Sequence, residues 1–150
     1  MELTDIRIEP FTDDDIDGIL VIERKSFSMP WSRESFEDVM KYPFLNGYCA
    51  KCGDDIAGYV IFHCLFEDSE VLDIAVGEEY RRLGIGRKLL SICQDRVRAL
   101  GAERIMLEVR QSNLSAQKLY LSCGFSKTGE RRNYYKNPTE NAILMEKTLL

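Results

Sequence analysis

Apolar and polar residues alternate along several short segments, which is the pattern that a half-buried β-strand gives. In VLDIAV this alternation places Leu72, Ile74 and Val76 on one predicted face. Runs rich in β-branched and aromatic residues, bounded by turn residues, also indicate strands. The predicted strands are DIRIEP, GYCAK, IAGYVIFHCLF, SEVLDIAV, RIMLEVR, FSKTGERR and NAILMEKTL, with NYYKNPTE as the loop between the last two.

Apolar residues at helical spacing, with clear end signals, predict helices between these strands. The longest helix starts at Ile85 and continues to Leu100, where Gly101 is typical of a helix end. Ser, Thr and Asn are favoured at helix starts because their side chains accept hydrogen bonds from unpaired amides. On this basis the other helices run from Thr12-x-x-Asp15 to about residue 25, from Ser32 to before Pro43, and from Asn113 to Gly124.

The predicted order of elements along the chain is β-α-α-β-β-β-α-β-α-β-β. This order indicates an α+β fold, in which helices pack on a single mixed sheet. A chain of 150 residues is long enough for one domain with its own core and short for two. We therefore expect residues 1–150 to form a single domain.

Composition and charge narrow the classes of function. The contents of hydrophobic residues, 45%, and of charged residues, 30%, are ordinary for a soluble globular protein. The net charge of −5 argues against a general nucleic-acid-binding surface. No segment approaches the roughly 20 apolar residues of a membrane helix, and the acidic start MELTDIRIEP does not resemble a signal peptide. We expect a cytoplasmic protein without a nucleic-acid or membrane partner.

Cysteine and histidine give little support for disulfide, metal or triad chemistry. The five cysteines are odd in number, and Cys49 and Cys52 are three residues apart on a predicted strand, which points them to opposite faces. The single histidine, His63, lies in the apolar run YVIFHCLF and is interpreted as a strand residue rather than a catalyst. One histidine is too few for a His-rich metal site, and a Ser-His-Asp triad has no support without a GxSxG motif. We expect no metal.

The segment EEYRRLGIGRKLL gathers four basic residues and two glycines at the start of the longest helix. It matches neither the GxxxxGK[ST] phosphate loop nor the GxGxxG dinucleotide motif, whose third glycine would stand at Leu89. A helix start nevertheless offers unpaired amides, glycines let a phosphate come close, and arginines add charge-assisted donors. The pattern indicates a site for a small, highly anionic ligand; a plain tight turn with arginines in solvent is the alternative.

Several motifs together resemble one enzyme family. RRLGIG, between the strand VLDIAV and the long helix, is similar to the Arg/Gln-x-x-Gly-x-Gly/Ala acetyl-CoA motif of the GNAT acetyltransferases. PWS, LEVRQSN, LYLSCGF and RRNYY resemble, in order and spacing, the bacterial ribosomal-protein-alanine N-acetyltransferases within that family. The resemblance extends over essentially the whole chain and departs from the family at VGEEY, where an Asp-Pro or His-Pro turn is more common.

This resemblance implies the GNAT fold, with a mixed, mostly antiparallel sheet flanked by helices, and acetyl-CoA as co-substrate. It implies that the pyrophosphate of coenzyme A lies over the helix start and that the pantetheine arm pairs beside the strand. Asn113 matches a position that contacts the cofactor arm, and a helix cap is its equal alternative. The cofactor-binding residues implied are Ile74, Ala75, Val76, Arg82, Leu83, Gly84, Ile85, Gly86, Arg87 and Asn113.

Acetyl transfer from a thioester to an amine needs a base for the amine, stabilisation of the oxyanion and an acid for the leaving thiolate. Glu108 lies on the strand face opposite Leu107, and the resemblance implies that it is the base. An ion pair of Glu108 with Arg110 is the alternative. Tyr120 matches the family's acid for the thiolate, and a core aromatic residue is the alternative.

A protein N-terminus is the expected acceptor. The pKa of an α-amine is about 8 and that of lysine about 10.4, so deprotonating the α-amine costs roughly 3 kcal/mol less. The resemblance further implies an N-terminal alanine of a small-subunit ribosomal protein, acetylated by direct attack in a ternary complex. Trp31, Tyr134 and Tyr135 are candidates for the acceptor groove; a hydrophobic staple of Trp31 with Phe36, and a place in a hairpin loop for the tyrosines, are the alternatives.

Two other functions stay open from the sequence. One is an acetyltransferase that accepts a broader set of N-termini or small-molecule amines. The other is a catalytically inactive module that binds CoA or a partner. The presence of both Glu108 and Tyr120 argues against the inactive module, because drift would have been free to remove them.

Overall fold

The computed structural model describes residue 2 and residues 5–150, and these residues form a sheet of seven strands. Its strands are β1 (Ile6–Pro10), β2 (Leu45–Cys52), β3 (Asp55–Leu65), β4 (Asp68–Val76), β5 (Arg104–Arg110), β6 (Ser126–Tyr135) and β7 (Glu140–Thr148). Across the sheet they follow the order β1-β2-β3-β4-β5-β7-β6. Neighbouring strands are antiparallel except for the parallel pair β4–β5. The predicted mixed, mostly antiparallel sheet is confirmed.

Helices cover both faces of this sheet. They are α1 (Ile16–Ser26), α2 (Arg33–Val39), α3 (Ile85–Ala99) and α4 (Leu114–Ser122). Single 3-10 turns, Asp13–Asp15 and Glu78–Tyr80, lie before α1 and α3. The order of strands and helices predicted from the sequence is confirmed. Within the part of the chain that the structure describes, no helix is long and apolar enough to cross a membrane.

The predicted helix ends form for the expected reasons. Side chains pair with backbone amides at three starts: the Thr12 amide donates to Asp15 Oδ2 (2.8 Å), the Ser35 amide to Ser32 Oγ (3.2 Å) and the Ala116 amide to Asn113 Oδ1 (3.2 Å). Helix α3 ends before Gly101, which has a φ of +98° that favours glycine. The cap reading of Asn113 is therefore confirmed.

Two apolar clusters fill the space between the helices and the sheet. The cluster under α3 and α4 contains Leu89 and Val97, and it takes Leu107 and Val109 from β5. The cluster under α1 and α2 contains Ile16, Ile19, Phe36, Tyr59 and Ile61. Alternation along β5 then turns the side chain of residue 108 away from the first cluster, as the sequence predicts.

A β-bulge in β4 changes which side chains of this strand share a face. Asp73 pairs with Ile61 while Val71 pairs with Phe62, so Leu72 is an extra residue in the ladder. Leu72 packs against the cluster under α1 and α2, whereas Ile74 packs against the cluster under α3 and α4. The prediction that Leu72, Ile74 and Val76 share a face is wrong, because the bulge shifts the alternation by one residue.

Strands β4 and β5 pair with each other at only one end. The parallel register joins Asp68–Glu70 of β4 to residues 104–106 of β5 and ends there. The remainder of β4, residues 71–76, separates from β5 and keeps only its β3 partners. This wedge in the middle of the sheet is the feature that positions the candidate site.

The two cysteines of β2 and the histidine of β3 lie as the sequence predicts, whereas one predicted loop begins later than expected. Cys49 packs in the cluster under α1 and α2 and Cys52 packs against the other cluster, so their predicted opposite orientation is confirmed. His63 is a residue of β3, also as predicted, with its Nε2 atom 3.3 Å from Glu70 Oε2. The predicted loop NYYKNPTE begins too early, because β6 continues through Tyr135 by an irregular register against β7.

Candidate active site

A cavity of about 950 Å³ occupies the wedge between β4 and β5, and we call it the central cavity. Its basic end is formed by the start of α3 and is lined by Arg81, Arg82 and Arg87. Its acidic end lies near the loop between α1 and α2. The residues that line the acidic end include Glu23, Trp31, Asp73, Glu108 and Tyr135.

Most of the residues singled out from the sequence line this one cavity. They are Trp31, Ile74, Ala75, Val76, Arg82, Gly84, Ile85, Gly86, Arg87, Glu108, Asn113, Tyr120 and Tyr135. Leu83 and Tyr134 are not part of the lining. Leu83 packs its side chain against the cluster under α3 and α4, and Tyr134 is half-exposed beside the cavity. The fold thus brings together motifs that are far apart in the sequence.

The basic end presents the unpaired amides of a helix start. Gly84 is the N-cap of α3 with a left-handed φ of +86°, and no side chain caps the helix there. The first helical hydrogen bond runs from the Lys88 amide to the Gly84 carbonyl. The amides of the first turn are left for an external acceptor, and they lie at the positive end of the α3 dipole.

Gly86 brings α3 close to α4. A Cβ built on Gly86 would lie 3.0 Å from Leu119 Cδ2, so a side chain here would press against α4. The two helices stay in contact at the mouth of the cavity, and the backbone of the turn is exposed to a ligand. The structure therefore explains why both positions of the motif are glycine: Gly84 has a left-handed backbone, and Gly86 lies close to α4.

Three arginines line the basic end of the cavity, and two of them also make hydrogen bonds within the protein. Arg81 Nε donates to the Val76 carbonyl at 3.3 Å, and Arg87 Nη2 donates to Ser122 Oγ of α4 at 2.7 Å. Arg82 has a left-handed φ of +66° and an exposed side chain. Because all three line the cavity, their charges still act on an anion there. Arg81 was missed from the sequence, although it is the first arginine of the same motif.

The edge of β4 that faces the wedge offers backbone groups to an extended ligand. Residues 74–76 pair with β3 on one side, and the register with β5 has already ended on the other. An unpaired strand edge binds an extended chain through main-chain hydrogen bonds. Ile74, Ala75 and Val76 therefore lie where an added strand could pair.

Glu108 projects into the cavity from β5 with its side chain 19% exposed. Its Oε1 atom is 3.3 Å from Arg131 Nε of β6, and a hydrogen bond to Glu108 raises the pKa of Tyr134. Arg110, the alternative partner suggested by the sequence, pairs instead with Glu140 at 3.0 Å. Glu108 is thus a carboxylate held on the cavity wall by β6.

Tyr120 is both a packed aromatic residue and a cavity residue. Its ring centroid is 5.9 Å from that of Phe125, and only 6% of the residue is exposed. Burial raises the pKa of Tyr120 above its usual range. The hydroxyl therefore keeps its proton at neutral pH, and it is a weaker acid than a solvent-exposed phenol.

Aromatic residues surround the acidic end. The staple reading of Trp31 is confirmed, because its ring centroid is 5.2 Å from that of Phe36, and Trp31 also lines the cavity. Tyr135 lies under the guanidinium of Arg110, whose Cζ is 4.6 Å from the ring centroid. Tyr134 contacts Tyr135 edge to face at 5.1 Å.

Two acidic residues at this end were missed from the sequence. Asp73 and Glu23 are both buried and both line the cavity. Burial and the hydrogen bond with Glu23 raise the pKa of Asp73 well above its usual range. The available signal was an aspartate inside the apolar strand VLDIAV, the same kind of signal that identifies Glu108 in IMLEV.

Comparison with known proteins decides the family. Residues 16–125 match the model of the acetyltransferase (GNAT) family. The chain belongs to the GNAT acetyltransferases. It is therefore an N-acetyltransferase of a family that uses acetyl-CoA, and the GNAT fold expected from its motifs is confirmed.

Relatives of this acetyltransferase cover nearly its full length. It is 33% identical over 142 residues to the [ribosomal protein bS18]-alanine N-acetyltransferase of Haemophilus ducreyi, covering 92% of the chain and 97% of the relative. It is 34% identical over 133 residues to the enzyme of the same name from Escherichia coli K12, covering 87% and 89%. The crystal structure of the ribosomal-protein-S18-alanine N-acetyltransferase from Escherichia coli matches at a TM-score of 0.87 and 29% identity, covering 96% and 94%.

The backbone at Gly84 gives a prediction for cofactor affinity. Val is strained at a φ of +86°, and such strain costs about 1–3 kcal/mol. We expect Gly84→Val to raise the Kd of acetyl-CoA about tenfold, because the strained turn no longer holds its amides toward the phosphates. Isothermal titration with acetyl-CoA measures this effect.

The matched control for that variant is Gly101→Val at the other end of α3. Gly101 has a similar φ of +98°, with no atom within 4 Å of an added Cβ. We expect both variants to lose a similar amount of thermal stability, and only Gly84→Val to lose acetyl-CoA affinity. An equal loss of affinity in both would contradict the assignment of the turn.

Proposed function

We propose that this acetyltransferase transfers the acetyl group of acetyl-CoA to the α-amine of the N-terminal alanine of ribosomal protein bS18. Relatives that carry this name are 33–34% identical to the chain over most of its length. The observation that carries the proposal is the central cavity, which joins a helix start suited to an anion to a carboxylate and a tyrosine across the wedge of the sheet. A donor and an acceptor could meet there without a covalent enzyme intermediate.

The cofactor would enter from the basic end. The pyrophosphate of acetyl-CoA would lie on the amides at the start of α3, with charge from Arg82 and Arg87. The pantetheine arm would pair along the free edge of β4 at residues 74–76. Asn113 would contact this arm as well as cap α4. This placement brings the thioester to the middle of the wedge, between Glu108 and Tyr120.

The acceptor amine would enter from the acidic end, past Trp31 and Tyr135. Glu108, directly or through a water, would accept the proton that the ammonium group must lose. The neutral nitrogen then attacks the thioester carbon, an N–C bond forms, and the carbonyl electron pair moves to oxygen. A backbone amide of the 74–76 edge would stabilise that oxyanion.

Collapse of the tetrahedral intermediate would release coenzyme A. The C–S bond breaks, its electron pair leaves with sulfur, and Tyr120 would donate a proton to the thiolate. Glu108 would by then have passed the first proton to solvent, so that it can take the second proton from the nitrogen and leave a neutral amide. The Tyr120 phenolate would regain its proton from solvent. The position of Tyr120 on the wall of the central cavity supports this role.

The proposal also includes the boundaries of the catalytic domain and its location in the cell. Residues 1–150 would form one catalytic domain, supported by a single sheet whose strands run from Ile6 to Thr148. A ribosomal protein as acceptor would place the reaction in the cytoplasm.

A peptide panel tests the choice of acceptor. Peptides of one sequence that differ only in the first residue are compared by kcat/KM with free amines such as spermidine and lysine. We expect the Ala-starting peptide to lead the panel and the free amines to react at least about a hundredfold more slowly, since they make none of the peptide contacts. Equal rates for a free amine would replace the proposal with a small-molecule acetyltransferase.

A further inference from the structure

Two carboxyl side chains are buried together at the acidic end of the central cavity. Glu23 of α1 is 1% exposed and Asp73 of β4 is 7% exposed, and the neighbouring Glu23 contributes, after burial, to the raised pKa of Asp73. Both residues line the cavity. Neither residue takes part in the proton transfers proposed for Glu108 and Tyr120.

The hydrogen bonds show how the pair holds its charge. Tyr59 Oη donates to Glu23 Oε1 at 2.6 Å, and the Trp31 amide donates to Glu23 Oε2 at 2.9 Å. Both oxygens of Glu23 therefore act as acceptors, as in a carboxylate. The raised pKa of Asp73 leaves a proton on that residue at neutral pH. Together the pair carries one negative charge.

This charge lacks a cationic partner within the described residues. The basic side chains that line the cavity form no ion pair with either carboxyl group: Arg110 pairs with Glu140, and Arg81, Arg82 and Arg87 line the basic end. A buried charge without a counter-ion is costly and is usually paired. The buried Oδ2 atom of Asp73, moreover, has no hydrogen-bond donor among the residues that the structure describes. The wall of the cavity thus needs one positive charge and one N–H or O–H donor.

We propose that the Glu23–Asp73 pair is the subsite that binds the amino group of the acceptor. An α-ammonium group supplies both missing features, a positive charge and N–H donors. Asp73 directly precedes residues 74–76, beside which the thioester would lie, so an amine held here is next to the reacting carbon. This inference rests on the proposed function, because it assumes that an amine is the acceptor.

The pair would act before and during the attack. It attracts the ammonium form of the acceptor, and Asp73 Oδ2 accepts an N–H that fixes the direction of the nitrogen. The proton that makes the amine neutral goes to Glu108, not to the pair. As the N–C bond forms, the nitrogen becomes positive again, and the nearby negative charge stabilises it. Glu23 and Asp73 are positioning residues, while Glu108 is the base.

The test compares two peptides that differ only in the amine. One begins with alanine, and its twin carries a propionyl group in that place, which has the same carbon atoms without the nitrogen. Their Kd values are measured with the enzyme saturated by coenzyme A, so that no acetyl transfer occurs. We expect the wild type to bind the amine peptide at least about tenfold more tightly.

Three variants assign that preference to the pair. Glu23→Gln removes the charge and Asp73→Leu removes the acceptor, and we expect each to reduce the preference to about twofold or less. Asp73→Asn keeps a donor toward Glu23 and an oxygen toward the amine, so most of the preference should survive. A merely structural role would weaken both peptides equally and leave their ratio unchanged.

Several results would overturn the inference. The inference is wrong if the wild-type enzyme binds the amine peptide no more tightly than its propionyl twin, whatever the variants show. It is also wrong if the ratio of the two Kd values is unchanged in a folded Glu23→Gln or Asp73→Leu variant. The proposed function fails separately, if wild-type protein acetylates no Ala-starting peptide; acetylation with an unchanged ratio in the variants removes only the subsite.

Discussion

Replacing Glu108 by glutamine is expected to lower kcat for acetyl transfer by about 10²–10⁴-fold, the usual contribution of a positioned general base. Glutamine keeps the shape of the side chain and can still accept hydrogen bonds from Arg131 and Tyr134, so the fold is retained. It cannot accept the proton of the amine. Steady-state kinetics with an Ala-starting peptide measure the loss, and titration should show the wild-type affinity for acetyl-CoA.

The matched control is Glu130→Gln on β6. Glu130 pairs with Lys127 at 2.6 Å and lies outside the lining of the central cavity. This variant should retain the wild-type rate. Full turnover by Glu108→Gln would show that another group, or solvent alone, takes the proton.

Replacing Tyr120 by phenylalanine is expected to lower kcat by about 10²-fold, at the lower end of the range for proton transfer. The ring and its edge contact with Phe125 are kept, so the loss of stability should be small. What disappears is the hydroxyl that would donate a proton to the leaving thiolate. The rate is measured in single turnovers, which separate chemistry from release of coenzyme A.

Tyr48→Phe serves as the control for this variant. Tyr48 stacks on Phe62 with centroids 6.1 Å apart and lies outside the central cavity. We expect no change in rate. A further check uses a donor whose thiol leaves more easily: if Tyr120 is the acid, a thioester of a more acidic thiol should recover part of the rate lost by Tyr120→Phe. No recovery would point to a packing role.

The sequence was sufficient for features that depend on local signals. Helix α3 could be predicted because its apolar stripe and Gly101 lie within one segment. The orientation of Glu108 followed from strict alternation in β5, where no bulge intervenes. The anion-suited helix start was equally local, since the two glycines and three arginines all lie within residues 81–87. Its assignment to coenzyme A needed the resemblance to a family.

Features that depend on distant partners could not be predicted. The bulge at Leu72 arises from the pairing of β4 with β3, and nothing in VLDIAV alone indicates it. The ion pair of Glu108 with Arg131 requires β6 to lie beside this part of the sheet. In the same way, the Glu23–Asp73 pair appears only when α1 packs on β4. Each of these contacts joins elements whose arrangement is set by the whole fold.

The central claim is that this chain acetylates protein N-termini, and mass spectrometry of two peptides tests it most directly. One peptide begins with a free alanine; the other has the same sequence with a blocked N-terminus and an internal lysine. Both are incubated with the enzyme and acetyl-CoA, and the site of any added acetyl group is mapped by fragmentation. We predict a single acetyl group on the α-amine of the free peptide and none on the blocked peptide. Acetylation of the blocked peptide at lysine, or of neither peptide while acetyl-CoA still binds, would contradict the account.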